Sequence, residues 1–596
     1  MQKNNSLAYI TRLIPFLAIV ILSSLPGNCQ VSVKELQKEI KYLSSDELKG
    51  RLTGSEGDSL AADYIKKKLS SYGLKPLSGD GLQRFKVTKR VLAGKSNSLS
   101  LNGVNYICEK DFVPVSFSSN AATESDVVFA GYGLNINEDS LKWNDYSGID
   151  VNGKWVMLLR GDPEPENNKS RFIPFSADRD KALLAKDMGA AGVLLVSGPV
   201  FDPQDAFETM NSEGYSVDIP VLRIKKEVAN VILTKSENNI ADLEKKLNGT
   251  KKTISFQTNV RVNGKAEIVR ELVNTRNVVM VLPGEDPKLK DEYIIIGGHF
   301  DHLGMGGPGS GSRALDTIGI HHGADDNASG VAMMMELAKK FAATKGSHKR
   351  SIVCLAFSGE EEGLLGSKHF VDDPGINLSK VNVMINIDMV GRLNETNNLQ
   401  IGGVGTAAGL KEIVYAKSDT SIIKLSLSPE GYGPSDHSSF YGKNIPVLFY
   451  FTGAHMDYHT PKDTWDKVNF KGMAEIYGLI YNVAQDLASE DSRLVYKEAG
   501  PKAQAVSYGR GKGATLGIMP DFAGVIKNGL RADFVTPGKP GALGGMKKGD
   551  IITSINGKPV NNIQDYMFRM GQLKRGETIS VEVLRSDKVV VLLILL

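Results

Sequence analysis

The stretch Tyr293-Ile-Ile-Ile-Gly-Gly-His299-Phe-Asp301 joins an apolar run to a polar end, and this combination decides the fold. Apolar runs of the same kind lie at 278–282, 352–357, 381–387 and 446–451. Strands that are apolar throughout are typical of a parallel sheet covered on both faces. The segment is therefore predicted to be a doubly wound α/β domain that binds its ligands at the carboxyl ends of the strands.

The regions between these strands have helical periodicity, most clearly at 330–341. One apolar stripe of this helix consists of Val331, Met334, Met335, Ala338 and Phe341, which indicates core packing. Beyond residue 29 the chain has two cysteines, Cys108 and Cys354, and the second lies inside the run 352–357. We expect a buried thiol there, and neither a disulfide scaffold nor a cysteine-based zinc site.

The composition is that of an ordinary globular protein. Of the 596 residues, 41% are hydrophobic and 23% are charged, which argues against extended disorder and against a polytopic membrane protein. The formal net charge of +3 offers no field for wrapping a polyanion. Nucleic acid is therefore not expected as a partner.

The first residues have the layout of a secretory signal. Lys3 and Arg12 precede an apolar run at 13–25, and small residues follow at Gly27 and Cys29. We predict a signal peptide at 1–29 and a secreted or periplasmic protein. The alternative is a lipoprotein anchored at Cys29, the one case in which a membrane would be a partner.

The pattern of the chain changes at several points after the leader. We predict a segment at 30–120 that belongs to the α/β domain, a β-rich insert at 121–255, the main α/β part at 256–495 and a glycine-rich β domain at 505–596. The closing apolar run at 589–596 is too short to cross a bilayer and is predicted to be a buried strand.

Polar residues follow the predicted strands of the α/β domain. They are His299, Asp301, the run Glu360-Glu361-Glu362, Asp388 and His459, and the pair Asp325-Asp326 stands before the helix at 330–341. Each alone has an ordinary explanation, such as a helix cap. Together they would crowd negative charge into one cleft, which has no structural benefit unless cations bind there. Imidazole and carboxylate without thiolate suit zinc, and five ligands are more than one catalytic zinc takes, so two metals that share a bridging carboxylate are predicted.

These motifs resemble the co-catalytic zinc aminopeptidases, a family that also includes glutamate carboxypeptidase. The matching strings are those at 298–301, 323–330, 360–361, 387–389 and 458–460, in the order of the family. The resemblance implies two Zn²⁺ per chain, with His299 and Glu361 on one, Asp388 and His459 on the other, and Asp326 as the bridge. It also implies a cis peptide bond between Asp326 and Asn327.

Three further residues have expected catalytic roles. Asp301 is placed to accept a hydrogen bond from the ring nitrogen of His299 that is not a ligand. Glu360 is the carboxylate left free of the metals, so we expect it to take a proton from the attacking water and pass it to the departing amine. By the resemblance, Tyr432 hydrogen-bonds the tetrahedral oxyanion. Structural support is assigned to Asp436 and His437, and no role is assigned to His302, His321, His322 and His455.

The two β-rich parts resemble known accessory domains. The insert is similar to the protease-associated domain in the strings at 145–148, 153–156, 189–193 and 219–221. This implies a lid or a substrate gate, and a spacer is the alternative.

The last part resembles a PDZ domain through the strings at 515–518 and 549–552. Such domains capture extended peptides by adding a strand, so a peptide C-terminus is an expected partner, and a purely structural copy is the alternative.

The sequence thus predicts a secreted, dinuclear zinc exopeptidase that acts on peptides as an aminopeptidase. A carboxypeptidase or dipeptidase of the same fold is the alternative within the enzymes. A receptor-like binding protein without catalysis is the alternative outside them, although the complete ligand set and Glu360 argue against it.

Overall fold

The computed structural model describes residues 31–138, 140–167, 169–208, 210, 215–307, 309–314, 316–500, 514–520, 528–536 and 538–596. The predicted leader, with Cys29, lies outside them. The helices are α1 Val33–Leu43, α2 Glu56–Ser71, α3 Asp178–Asp187, α4 Lys226–Leu233, α5 Ile240–Thr250, α6 Gly330–Ala343, α7 Leu365–Asp372, α8 Leu410–Ala416, α9 His437–Gly442, α10 Phe470–Ser489, α11 Pro540–Leu543 and α12 Ile563–Gly571. Within the described ranges, no helix has both the length and the apolar character needed to cross a membrane.

The strands in the first half of the chain are β1 Lys75–Pro76, β2 Leu82–Ala93, β3 Ser98–Leu101, β4 Val104–Tyr106, β5 Phe112–Pro114, β6 Ala121–Ala130, β7 Asn135–Glu138, β8 Leu141–Asn144, β9 Trp155–Leu159, β10 Gly192–Val196, β11 Val221–Ile224, β12 Ser255–Ala266, β13 Ile268–Leu282 and β14 Tyr293–His299. Those in the second half are β15 Ser351–Phe357, β16 Val381–Ile387, β17 Asn398–Gly402, β18 Lys424–Leu427, β19 Val447–Phe451, β20 Ile518–Pro520, β21 Leu530–Val535, β22 Ile551–Ile555, β23 Lys558–Pro559, β24 Thr578–Arg585 and β25 Lys588–Leu595.

The main sheet is the predicted mixed, doubly wound sheet. Its order is β1-β13-β15-β14-β16-β19-β17-β18, with β2 also paired to β13. The four central strands β15, β14, β16 and β19 run parallel to one another, and β13 and β17 flank them in the antiparallel direction. The carboxyl ends of the four central strands therefore meet at one edge.

Helices cover both faces of this sheet because neighbouring residues of a buried strand point to opposite sides. On β14, Ile294 and Ile296 belong to a core cluster that also contains residues of α1, α2, α6 and α10. Ile295 belongs to a second cluster, which includes Phe370 of α7 and Phe440 of α9. The predicted stripe of α6 is fully buried in the first cluster, and Cys354 is buried there as expected.

The β-rich insert has a sheet of its own, in the order β4-β3-β12-β6-β9-β10-β11-β5. Its strands extend from Ser98 to Ala266, a wider range than the predicted 121–255. Strands β6, β9, β10 and β11 are parallel, and an apolar cluster covers each face of the sheet. Helix α3 packs on one face through Leu183 and Leu184.

The C-terminal domain is built on the sheet β20-β21-β22-β24-β25, with the short β23 paired to β22. The prediction that 589–596 is a buried strand is wrong. Strand β25 is an edge strand, and Val589, Val591, Leu593 and Leu595 point outward and are exposed. The alternate residues, such as Ile594, face the domain core. The alternation was hidden in the sequence because both faces of the strand carry aliphatic residues.

Candidate metal centre

The predicted ligands come together at the carboxyl edge of the central strands. His299 is the last residue of β14, Asp388 directly follows β16, and Glu361 lies in the loop after β15. Asp326 lies in a short irregular turn, Ala324–Ser329, that leads into α6, and His459 lies beyond β19. The peptide bond between Asp326 and Asn327 is cis, as the resemblance implies.

The distances divide the ligands into two groups around one carboxylate. In the first group, His299 Nε2 lies 3.3 Å from Asp326 Oδ1 and 3.4 Å from Asp388 Oδ1. In the second, His459 Nε2 lies 3.2 Å from Asp326 Oδ2 and 3.0 Å from Glu361 Oε2. Asp326 thus presents one carboxylate oxygen to each group, the arrangement that a bridging ligand needs.

The pairing expected for the other four ligands is contradicted by these distances. His299 is grouped with Asp388, not with Glu361, and His459 is grouped with Glu361, not with Asp388. The sheet order supplies the reason. Strand β16 is a neighbour of β14, so Asp388, at its end, lies beside His299, whereas the loop after β15 carries Glu361 past the strand end to His459.

The two groups have the geometry and the donor atoms that zinc requires. Bonds of about 2.0–2.1 Å to a tetrahedral ion place two ligand atoms roughly 3.3 Å apart, close to the spacings within each group. Nε2 of His459 and Oδ1 of Asp388 are buried and have no hydrogen-bond partner among the described residues. Buried polar atoms without partners are rare unless a ligand completes them. The residues present therefore fit a pair of zinc ions.

The electrostatics of the cleft favour positive charge. Burial by itself lowers the pKa of His459, but the neighbouring carboxylates of Asp326 and Glu361 raise it to about 10. Burial likewise opposes the protonation of His299, and the carboxylates around it raise its pKa well above the ordinary value. The pKa of the Asp326 carboxyl is held well below its usual range, against the effect of burial, mainly by the neighbouring histidines. The same carboxylates are suited to hold cations.

Glu360 differs from its neighbour Glu361 because it has no short contact with a histidine. Its Oε2 lies 4.0 Å from His299 Nε2, and its side chain is 12% exposed. Burial raises the pKa of the Glu360 carboxyl well above its usual value, and the carboxylate of Asp436 adds to this. Glu360 is therefore a carboxyl group beside the two ligand groups that can hold and release a proton.

Asp301 lies behind the ligands and holds the loop of the two glutamates. Its Oδ1 accepts the backbone N–H of Glu360 at 3.1 Å, and its Oδ2 accepts the N–H of Glu361 at 3.3 Å. The carboxylate is 3.6 Å from Nδ1 of His299, too long for the expected hydrogen bond. That ring nitrogen is closer to the backbone oxygen of Asp301, at 3.3 Å.

Tyr432, Ser435 and His437 lie close together in sequence but contact different groups. Tyr432 is half-buried and packs against the apolar cluster that contains Phe440. Ser435 donates a hydrogen bond of 2.8 Å to Asp388 Oδ2, which fixes that ligand. His437 stacks on Phe449 with ring centroids 4.3 Å apart, and burial lowers its pKa to about 3, consistent with the structural role assigned to it.

His302 received no role from the sequence, yet it belongs to this centre. Its Nδ1 lies 2.7 Å from Glu361 Oε1 and 3.8 Å from Asp326 Oδ2, and its side chain is fully buried. His302 thus holds one oxygen of Glu361 while the other faces His459. Its position three residues after His299 was the available signal, but contact with Glu361 depends on the fold.

Arg51 was missed altogether, because it lies about 250 positions before the first ligand. Its guanidinium is fully buried and donates to the carbonyl oxygens of Phe300 at 2.7 Å, His322 at 2.7 Å and Gly323 at 3.0 Å, and also to that of Leu43. Phe300 follows the ligand His299, and Gly323 begins the turn that holds Asp326. The Arg51 side chain therefore joins the backbone segment that carries His299 to the one that carries Asp326.

Asp463 holds the same turn from its amide side. Its Oδ2 accepts the backbone N–H groups of Asp325 at 2.9 Å and Asp326 at 3.1 Å, and Arg392 donates to its Oδ1 at 3.1 Å. Arg51 and Asp463 bind opposite ends of the peptide dipoles in the segment 322–326. The turn that carries Asp326 is thus held from both sides by side chains of the protein itself.

A doubly wound sheet whose strand ends gather histidines and carboxylates around a shared aspartate can hold metal ions at that edge. Comparisons with known proteins identify the domains. Residues 277–484 match peptidase family M28, residues 113–232 match the PA domain, and residues 520–596 match the PDZ domain. The chain therefore contains an M28 peptidase domain with a PA insert and a C-terminal PDZ domain, as the sequence predicted.

Individual relatives fall in the same class. The chain is 39% identical over 145 residues to a probable zinc metalloprotease of Pyrenophora tritici-repentis, a stretch that covers 24% of this chain and 30% of that protein. It spans about a third of the length of this relative and of its counterpart in Pyrenophora teres. It is 24% identical over 497 residues to aminopeptidase YwaD of Bacillus subtilis, which covers 80% of this chain and 91% of YwaD. The names of these relatives, with the M28 match, fall in the predicted class of zinc metallopeptidases.

A search of solved structures matches an aminopeptidase from an Aneurinibacillus species, at 22% sequence identity and a TM-score of 0.46. The match covers 79% of this chain and 97% of that one. Another is a zinc aminopeptidase from Bacillus subtilis, with 21% identity and a TM-score of 0.43 over 76% of this chain and 94% of that one.

Proposed function

We propose that this protein is a dinuclear zinc aminopeptidase that removes residues from the amino ends of peptides. The observation that carries the proposal is the position of Asp326, whose two carboxylate oxygens face different histidines at 3.3 and 3.2 Å. A carboxylate in that position bridges two ions. The name of YwaD, an aminopeptidase matched over most of both chains, supports the choice of activity.

In this proposal five residues hold zinc, namely His299, Asp326 and Asp388 on one ion and His459, Asp326 and Glu361 on the other. Zinc, when bound, supplies a Lewis acid for the scissile carbonyl and lowers the pKa of water. Glu360 Oε2 accepts the proton of the attacking water and returns it to the departing amine, as its buried position beside the ligands suits. We assign the oxyanion contact to Tyr432 as part of the same proposal.

The remaining groups position these side chains. Asp301 holds the backbone of Glu360 and Glu361, and His302 holds the second oxygen of Glu361. Arg51 holds the carbonyl groups beside His299 and Asp326. Such contacts to ligands and their backbone typically change metal affinity about 10- to 100-fold when they are removed.

The accessory domains and the location complete the proposal. We assign the PA domain to gating of the cleft and the PDZ domain to binding an extended peptide by addition to the edge strand β20. Export from the cytoplasm, predicted from residues 1–29, is also part of the proposal.

Mass spectrometry of a panel of peptides with free or acetylated amino ends tests the activity. An aminopeptidase shortens the free peptides one residue at a time from the amino end and leaves the acetylated ones intact. Acetylated peptides shortened from the carboxyl end would instead identify a carboxypeptidase. A zinc-loaded protein that cleaves no member of the panel would contradict the proposal.

A further inference from the structure

Helix α12 of the PDZ domain lies against helix α3 of the PA domain, and a bidentate ion pair joins the two helices. Arg569 Nη2 donates to Asp187 Oδ1 at 2.9 Å, and Nη1 donates to Oδ2 of the same carboxylate. The side chains of Arg569 and Asp187 are only 3% and 6% exposed. Burying a guanidinium to this extent costs free energy unless a carboxylate pairs with it. Arg569 and Asp187 can form this pair only when the two domains are in contact.

A second pair of charges joins the same two helices. Arg179 Nη2 lies 2.6 Å from Asp565 Oδ1, and these side chains are 11% and 2% exposed. Arg179 also donates through Nε to the backbone oxygen of Tyr215 at 3.0 Å, so its head group is fixed from the PA side. The two arginines come from different domains, and each meets a carboxylate of the other domain.

An apolar contact lies between these polar ones. Phe568, next to Arg569 on α12, packs half-buried against the PA cluster that contains Leu183 and Leu184 of α3. At the rim, Asn561 Nδ2 donates to Asp218 Oδ2 at 2.7 Å. An aromatic anchor enclosed by paired charges is the usual anatomy of a specific protein interface.

The other side of α12 belongs to the PDZ domain itself. Tyr566 and Met570 are buried in its core, and Ile563 and Met567 are half-buried against the same core together with Ile518 of β20. Because β20 lies at the edge of the sheet among the described strands, a peptide that adds to it would extend the sheet there. Helix α12 thus connects the PDZ core to the PA contact.

We propose that α3 and residues 215–218 of the PA domain form a docking surface for α12, and that the PA and PDZ domains consequently move as one unit in solution. A peptide bound along β20 is then held in a fixed place relative to the PA domain rather than at the end of a free tether. The proposal rests on the contacts between the two domains and does not depend on the proposed peptidase activity.

Two lysines at the interface provide a direct readout. Lys186 Nζ lies 2.9 Å from Asp218 Oδ2, and Lys558 Nζ lies 3.8 Å from Asp187 Oδ2. An amine-reactive cross-linker applied to the full chain should join Lys186 to Lys558, and peptide mass spectrometry measures the yield. A mixture of unlabelled and isotope-labelled protein separates links within one chain from links between two chains.

Charge reversal on the PA side, D187R, is the decisive variant because it leaves the PDZ sequence unchanged. It should reduce the cross-link roughly ten-fold or more, since an unpaired buried charge shifts a docking equilibrium by more than that factor. R569E should do the same, and the double variant D187R/R569E should regain the link because the pair is restored with its charges exchanged. R261E, which reverses an exposed pair with Glu124 inside the PA domain, is the matched control and should retain the link.

Three outcomes would overturn the proposal. The first is an undiminished cross-link in D187R, and the second is a double variant no better linked than either single one. The third is a link found only between differently labelled chains, which would show that the PDZ domain docks on a second copy.

Discussion

Glu360 and Glu361 are adjacent in sequence but serve different halves of the centre. Glu361 Oε2 lies 3.0 Å from His459 Nε2, within the range of distances between neighbouring ligand atoms. Glu360 Oε2 lies 4.0 Å from His299 Nε2, which is longer than any of those distances. The position of each carboxylate is set by Asp301, which accepts the backbone N–H of both. In the proposed function, this geometry separates proton transfer from coordination by one position.

Glu360→Gln should lower turnover by about two to four orders of magnitude, because the amide keeps the size of the side chain but cannot accept a proton. Its zinc content should match the wild type. Glu361→Gln is the matched control and should lose zinc, measured by elemental analysis of the dialysed proteins. A Glu360→Gln protein with nearly normal turnover would show that this residue is not the base.

The grouping of the ligands can be tested by double replacement. His459→Ala and Glu361→Gln each remove a ligand of the same proposed ion, so the double variant should keep the zinc of the other group. Asp388→Asn combined with His459→Ala should lose both ions, because it removes one ligand from each group. The opposite result would be a Glu361→Gln/His459→Ala protein without zinc and an Asp388→Asn/His459→Ala protein with one zinc ion. That result would support the pairing expected from the sequence.

Arg51→Met should weaken zinc binding about 10- to 100-fold, because the segments that carry His299 and Asp326 lose the donor that joins them. Competition with a chelator measures this affinity. Arg350→Met is the control, since Arg350 is equally buried but binds Glu292 and backbone oxygens near residue 490. Both variants should lose stability, and equal zinc affinity in the two would contradict the role of Arg51.

Glu39 should make folding stability depend on pH. Burial, with a contribution from Glu336, raises the pKa of its carboxyl from 4.5 to about 7, although Lys68 and Tyr72 bind it. The folded state therefore keeps a proton that the unfolded state releases above about pH 4.5, and stability falls as the pH rises from there to about 7. The loss relative to Glu39→Gln should reach at most about 3 kcal/mol.

Urea unfolding of the wild type and Glu39→Gln at about pH 4.5 and pH 8 measures this difference. Two proteins whose free energies of unfolding change in parallel over this range would contradict the shifted pKa of Glu39. Glu35 lies in the same cluster of glutamates and is partly exposed, so Glu35→Gln is a control with a smaller expected effect.

The elements of the main sheet could be predicted from the sequence because each central strand is a continuous apolar run between polar ends. The run at 381–387 coincides with β16, and the polar residues after the runs did converge on one edge. The pairing of the ligands could not be predicted, since it depends on which strands are neighbours and on the path of the loop that carries Glu361.

Long-range contacts account for the other differences. Arg51 acts on backbone oxygens about 250 residues away, and an isolated arginine in a glycine-rich segment gives no local signal of that contact. The exposure of Val589 and Leu593 reflects the edge position of β25, which the aliphatic composition of the strand concealed. The contact between α12 and α3 similarly depends on two domains that are separated by most of the chain.

The zinc content of the purified protein tests the central claim most directly. Elemental analysis against protein concentration should give two zinc ions per chain after gentle purification, because Asp326 presents one oxygen to each histidine group. Asp326→Asn should lower the occupancy of both positions together. A wild-type protein that holds one ion, or none after incubation with zinc and removal of the excess, would contradict the dinuclear centre.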